Sequence, residues 1–192
     1  MKQALSIVLW LVRCSVLLAS AFTLQAWADD YSDVTQLART GKVTEALAKA
    51  DLYLATKPRD PQMRFIKGVL QSEAGRPADA IVTLTALTQE YPELPEPYNN
   101  LAVLYASQNQ YDKARAALEM AVRLNPSYAT AHENLGDVYA KLASQSYAKS
   151  LQLEGNNPQA VQKVSVLREM LTPKNAKTAK PGAAGMAASP AK

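Results

Sequence analysis

An all-helical fold, built as a solenoid of antiparallel helix pairs, is the class this sequence predicts, and three observations predict it. Gly41, Gly75, Asn109 and Ala143 stand 34 residues apart. Pro58, Pro92 and Pro126 keep the same interval, as do Ala46, Ala80, Ala114 and Ala148. Between these markers apolar residues recur at spacings of three and four, the period of a helix with one buried face. A repeat of this length is a supersecondary unit that buries its apolar face by stacking on its neighbours. Scaffolds of this kind bind far more often than they react.

The first 28 residues are set apart from that pattern. Lys2 and Arg13 supply positive charge without an acid, an apolar run follows from Cys14 to Leu24, and Ala26-Trp27-Ala28 offers small residues at a cleavage site. These are the parts of a secretory leader, so cleavage before Asp29 and a periplasmic location are expected. The alternative is an uncleaved inner-membrane anchor beginning near Ala4 and facing the periplasm. It would place Arg13 in the hydrocarbon at a cost of roughly 2.5–3.5 kcal/mol. Cys14 is the single cysteine and would leave with the leader. The mature chain then has no thiol for a disulfide, a nucleophile or a metal. Arg13 before Cys14 and apolar sequence after it argue against lipidation.

Residues 29–172 are expected to form the repeat domain, in units of about 29–60, 61–94, 95–128 and 129–157 with a closing helix over 158–172. The first unit opens with a short helix before Gly41, capped by Ser32 or Asp33. Val43 to Thr56 carries Val43, Ala46, Leu47, Ala50, Tyr53 and Leu54 on one stripe, and Pro58 and Pro61 end it. The next helix runs to Ala74, Gly75 turns the chain, and Arg76-Pro77 opens a return helix to Tyr91-Pro92. The third unit begins at Pro95, with Tyr98, Leu101, Ala102 and Tyr105 in its first helix. Tyr111, Ala114, Leu118, Ala121 and Leu124 mark its second. The fourth begins near Ala129 with His132, Leu135, Gly136 and Tyr139, turns at Leu142-Ala143-Ser144, and returns over about Gln145 to Leu153. Val161, Val164, Leu167 and Leu171 mark one last amphipathic helix, from about Ala160. Residues 173–192 change to Ala, Lys, Pro, Gly and Ser with no periodic stripe, a composition expected to stay disordered.

Charge narrows the partners. The chain holds 21 basic and 17 acidic residues. Without the leader and the four tail lysines, 15 basic residues face 17 acidic ones over residues 29–172. A near-neutral domain without clustered Lys and Arg gives no support to nucleic-acid binding. No stable membrane insertion is expected once the leader is removed, and the tail lysines are too sparse for a strong lipid anchor.

These units resemble tetratricopeptide repeats of the exported bacterial type. The third unit carries the pattern in Tyr98, Leu101-Ala102, Tyr105, Ala114, Leu118 and Pro126; the fourth carries it in His132, Leu135-Gly136, Tyr139 and Ala148. The second keeps Gly68, Ala80, Leu84 and Pro92 but has Arg64 and Lys67 where apolar residues are expected. The first retains Ala46, Ala50 and Pro58. The resemblance covers about residues 30–154 and implies a right-handed superhelix whose first helices line an inner, binding face. On that face it places Phe65, Ile66, Val69, Asn99, Asn100, Val103, Asn134 and Asp137, the expected protein-binding residues. Glu133 and Lys141 lie on the same face. An apolar patch among amides suits an extended peptide or a partner helix. The competing reading is that the first helix of the chain packs over Phe65 and Ile66. Some family members clamp a terminal carboxylate with Lys, Arg and Asn. Asn100 and Asn134 stand at matching places, but Val103 and Asp137 replace further donors, which argues against that mode.

No catalytic, metal or cofactor site is implied. His132 falls where the repeat packs a bulky interhelical residue. Glu133 and Asp137 are four apart, as paired carboxylates can be, but no phosphate loop, nucleophile elbow or zinc spacing accompanies them. The expected function is therefore a non-enzymatic scaffold of the bacterial envelope that binds an envelope protein or peptide. The alternatives are a self-assembling structural repeat protein, with weak homo-oligomers, or an envelope enzyme using Glu133 and Asp137.

Overall fold

The computed structural model describes residues 30–172, and every described element is a helix. The leader, its cleavage site and the tail from Pro173 lie outside the described residues. The chain divides at Pro58 into two compact units.

In the first unit, α1 covers residues 30–39 and α2 spans Val43–Thr56. The second helix has the bounds its apolar stripe predicts. Ser32 and Asp33 lie within α1 rather than at its cap, because the helix is already formed at residue 30. Gly41, at φ 80°, makes the turn. Its N–H and that of Lys42 donate to the carbonyls of Ala38 and Leu37, both at 2.9 Å, which satisfies the open end of α1. The rings of Tyr31 and Tyr53 meet with centroids 5.5 Å apart, and Lys49 pairs with Asp33.

The second unit contains α3 (Pro61–Glu73), α4 (Pro77–Glu90), α5 (Pro95–Ser107), α6 (Tyr111–Leu124), α7 (Ala129–Leu153) and α8 (Pro158–Leu171). Each helix packs on the next, α3 and α4 forming one antiparallel pair and α5 and α6 another. Proline opens α3, α4, α5 and α8, where its fixed φ suits a first turn and its missing N–H costs nothing. The Asp60 carboxylate also accepts from the Met63 N–H at 2.9 Å, and the Asn157 side chain accepts from the Ala160 N–H at 3.1 Å. Gly75 and Asn109 make the turns inside the two pairs at φ 71° and 59°. Glycine has no Cβ to clash there, and asparagine is among the few other residues that tolerate the left-handed region.

The fourth unit departs from expectation. Instead of turning at Leu142-Ala143-Ser144 and returning over Gln145 to Leu153, α7 runs unbroken for 25 residues. Two features account for it. Alanine at 143 cannot take the positive φ of Gly75 or Asn109 without strain. The unit is also short. Helix starts at Pro61, Pro95 and Ala129 are 34 residues apart, but Pro158 follows Ala129 by 29. The five missing residues are the turn and its flanks, so the two helices of the pair join end to end. α8 closes the row as expected, in the register of an opening helix. Its third residue, Ala160, is buried as are Met63, Pro97 and Ala131 at the third place of α3, α5 and α7.

Arg64, out of keeping with an apolar position, has a structural task. Its guanidinium forks onto the Glu90 carboxylate at 2.7 and 2.9 Å, tying α3 to the last residue of α4. This hydrogen bonding holds the Glu90 carboxyl below its usual range, with Arg64 and Arg59 charges acting in the same direction and desolvation opposing. A carboxyl depressed on folding stabilises above its unfolded value and loses that contribution as pH falls through the folded one. Glu90→Gln should therefore melt lower than the wild type at neutral pH, the gap closing as pH drops below the ordinary carboxylate range. Thermal melts of both proteins across acid pH check this; a gap that persists in acid would contradict it.

Candidate functional site

The repeat geometry brings the first helices of consecutive pairs side by side, so α5 and α7 share a face with α6 behind them. Between these three helices lies an open pocket of about 310 Å3. Its floor is apolar: Ala102 and Ala106 of α5, Leu118 of α6 and Val138 of α7. Ala102, Leu118 and Val138 belong to the buried cluster that also holds Ala114, Ala121 and Ala131. Small residues at 102 and 106, one helical turn apart, leave the opening; larger side chains would fill it. Its rim is mixed, with Val103, Tyr111, Asn134, Asp137 and Lys141.

Val103 is 50% exposed, an apolar side chain held at the mouth of an apolar pocket. Asp137 and Lys141 are one turn apart on α7 and both exposed, giving the rim an acid and a base. Asn134 is half-buried, and its amide donates to the Asn99 side-chain oxygen at 2.9 Å, linking α7 to α5. Asn100, also half-buried, donates to the Glu96 carbonyl at 3.0 Å. The two asparagines at the carboxylate-clamp places are thus each bonded to the protein.

The eight residues expected on the inner face divide by this geometry. Val103, Asn134 and Asp137 line the pocket. Asn99 is buried beneath it, where its oxygen receives Asn134. Phe65 is half-buried and packs on the cluster of Ala80, Leu84, Leu101 and Leu104. Ile66 and Val69 are buried, so neither presents an open apolar surface. Sequence register did not single out the floor residues Ala106, Leu118 and Val138. The spacing of Ala102 and Ala106 was the one available signal for a gap.

His132 is exposed rather than packed, because no returning helix covers it; its Nε2 lies 3.0 Å from the Pro126 carbonyl. Glu133 and Asp137 are both exposed on α7. Tyr139 donates to the Glu119 carboxylate at 3.2 Å, and that bond, with lesser help from desolvation and the charge, pushes its phenol pKa up. Among the described residues no group of three or more His, Cys, Asp or Glu side chains could hold a metal. Among the same residues no helix is long and apolar enough to cross a membrane.

Comparison with known proteins adds to this geometry. A family model described as "Tetratricopeptide repeat" matches residues 34–95, and one described as "TPR repeat" matches residues 104–142. The tetratricopeptide repeat domain-containing protein PYG7, chloroplastic, of Arabidopsis thaliana is 38% identical over 82 residues, 40% of this chain. The match spans only 27% of that relative's length. TTC0263, a thermophilic repeat protein of Thermus thermophilus, superposes with a TM-score of 0.56 at 23% identity, covering 74% of this chain and 81% of that one. The first repeat domain of Spaghetti (RPAP3), bound to the HSP90 peptide SRMEEVD, gives 0.55 at 15% identity, covering 58% and 89%. At these identities the structures show a shared fold.

Proposed function

Because this chain belongs to the tetratricopeptide-repeat family, with antiparallel helix pairs suited to holding a peptide or partner helix, we propose that it is a non-enzymatic binding scaffold of the bacterial envelope. Its ligand is an extended segment of another envelope protein. The segment seats an apolar side chain between α5 and α7 while its backbone and flanking polar groups meet the rim. The observation that carries this reading is the open apolar pocket at Val103, ringed by Asn134, Asp137 and Lys141. An apolar centre within a polar rim is the usual anatomy of a protein-binding patch. The Spaghetti (RPAP3) domain, of like fold, was solved with a peptide bound, which supports the mode without naming the ligand. The leader supports export: mass spectrometry of the exported protein is expected to find Asp29 at the N-terminus, whereas retained Met1 in a membrane fraction would place the protein on an anchor.

Val103→Asp tests the groove. The position is half exposed on a helix surface, so the fold should tolerate the charge with a change in stability of about 0.5 kcal/mol. Seating a ligand would bury that charge, and affinity for the envelope partner should fall by roughly 10- to 100-fold. Partner affinity is to be measured beside the thermal melt of the same variant. Lost binding with an unchanged melt agrees with the groove. A large drop in the melt would place Val103 in the core, and unchanged affinity would move the binding surface elsewhere.

A further inference from the structure

The cleft between α5 and α7 is graded along its length. The two helices run the same way, and two observations fix their levels: the Asn134 amide bonds Asn99, and Val103 and Asp137 stand together at the pocket. From the amino ends of the helices the cleft passes Glu96, then Glu133 beside the asparagines, then the apolar pocket, then Lys141. Glu96 lies toward α7: burial first and the Glu96 charge second raise the phenol of Tyr128, the N-cap of that helix, above its ordinary value. α5 has no basic residue, and α7 before Leu142 has one lysine, Lys141. Among the described residues Glu96, Glu133 and Asp137 have no ion-pair partner, Lys141 included.

Asn99 is the second observation that points to a ligand. It is only 5% exposed, and its side-chain oxygen is taken by Asn134. Its amide N–H2 group bonds nothing among the described residues, yet it is not sealed in, since the one buried side-chain atom without a partner there is the Gln110 oxygen. The donor opens at the α5–α7 cleft, because the oxygen of the same amide is bonded across it. The oxygen of Asn134 is likewise without a partner. A donor desolvated this far and left unpaired costs stability, and a ligand that supplies an acceptor removes the cost. An open N–H2 and an open C=O side by side match the C=O and N–H of one residue in an extended chain.

On the footing that this cleft is the binding face, we propose that its ligand is an internal segment of a partner protein with a lysine or arginine to one side of the apolar anchor, the Asn99–Asn134 pair holding the backbone between them. The cation lies over Glu133 and Glu96. Along the helix axis these acids stand about 6 and 10 Å from the level of the pocket, about two to three residues of extended chain at roughly 3.3 Å each. Asp137, at the anchor itself, adds to the attraction. On the far side of the anchor Lys141 opposes a second cation. A terminal carboxylate finds no charge but Lys141, and the amides at the clamp places already donate to the protein, so the segment is internal.

The test is selection of random segments, displayed inside a loop of a carrier protein so that neither end is free, against the purified protein. Enriched segments are expected to share an apolar residue with Lys or Arg at the stated spacing to one side, and to lose affinity when Ala106→Leu fills the pocket. Glu133→Lys, at an exposed position, should leave the thermal melt unchanged and weaken the same segments by roughly three- to tenfold at low salt and less at high salt. Replacing the segment's cation by Glu should restore binding to the Glu133→Lys variant. Segments that Ala106→Leu releases but that carry no cation, or that Glu133→Lys does not weaken, keep the groove and overturn the basic ligand. No enriched segment, or segments indifferent to Ala106→Leu, overturns both.

Discussion

Truncating Leu84 to alanine is expected to destabilise the protein by about 2–5 kcal/mol. The side chain is fully buried on α4 and joins Ala80, Leu101 and Leu104 in the cluster between the first complete pair and the second. Its Cγ and Cδ2 also stand where a side chain on Gly68 would go. Removing them leaves a cavity at the contact between a pair's two helices and between neighbouring pairs. Chemical denaturation should show a lower midpoint with a little-changed slope. A loss below about 1 kcal/mol would mean that the helices collapse onto the gap.

The second large effect is a difference in sign between two equivalent glycines. Gly68→Ala brings a methyl to 2.7 Å from Leu84 Cδ2 and 2.8 Å from its Cγ. The branch point of a buried side chain cannot swing aside, so overpacking should cost about 1–3 kcal/mol and outweigh the gain of up to about 1 kcal/mol from helix propensity. Gly136→Ala meets nothing and keeps that gain. In thermal melts, Gly68→Ala should unfold at a lower temperature than the wild type and Gly136→Ala at a higher one. In a Leu84→Ala background the obstructing atoms are gone, and Gly68→Ala should become neutral or stabilising. A Gly136→Ala variant that loses stability would show that a helix does cover this face, as a closed fourth pair requires.

How much of this was legible beforehand depends on the kind of signal. The all-helical repeat, the bounds of α2 and the turn at Gly75 were read correctly, because each rests on local chemistry: a stripe of apolar residues, a proline, a residue that takes positive φ. The continuous α7 was not. Ala143 and Ala148 fall on the 34-residue grid, but they do so in an alanine-rich stretch where such a match carries little information. The structure separates them from their supposed equivalents. Ala46, Ala80 and Ala114 are fully buried, whereas Ala148 is exposed. The telling marker was Pro158, which opens its helix five residues early.

The candidate site was legible in the same uneven way. Register along a helix fixes which side chains share a face, and it placed Val103, Asn134 and Asp137 together. It does not say what lies over that face. Val69 holds the place of Val103 one repeat earlier, and Ile66 that of Asn100, yet both are buried, and Phe65 turns onto the Leu84 cluster. The pocket floor comes from Leu118 on α6, a residue whose position in the core is plain from the repeat but whose exposure to a groove depends on the small side chains opposite. Charge was read at the level of the domain and gave no support to nucleic acid. The pairing of Arg64 with Glu90 needed coordinates, since the two are 26 residues apart.

Whether the groove is where the protein meets its partner can be decided in living cells with a photo-crosslinking amino acid placed at one position at a time. Val103 and Val82 are both exposed valines on helix surfaces, 50% and 70% accessible, but Val103 stands at the pocket and Val82 on α4 does not line it. Adducts to one envelope protein from position 103, absent from position 82 and lost when Ala106 is enlarged to close the pocket (Ala106→Leu), are the predicted result. Adducts of equal strength from both positions, or from position 82 alone, would contradict it.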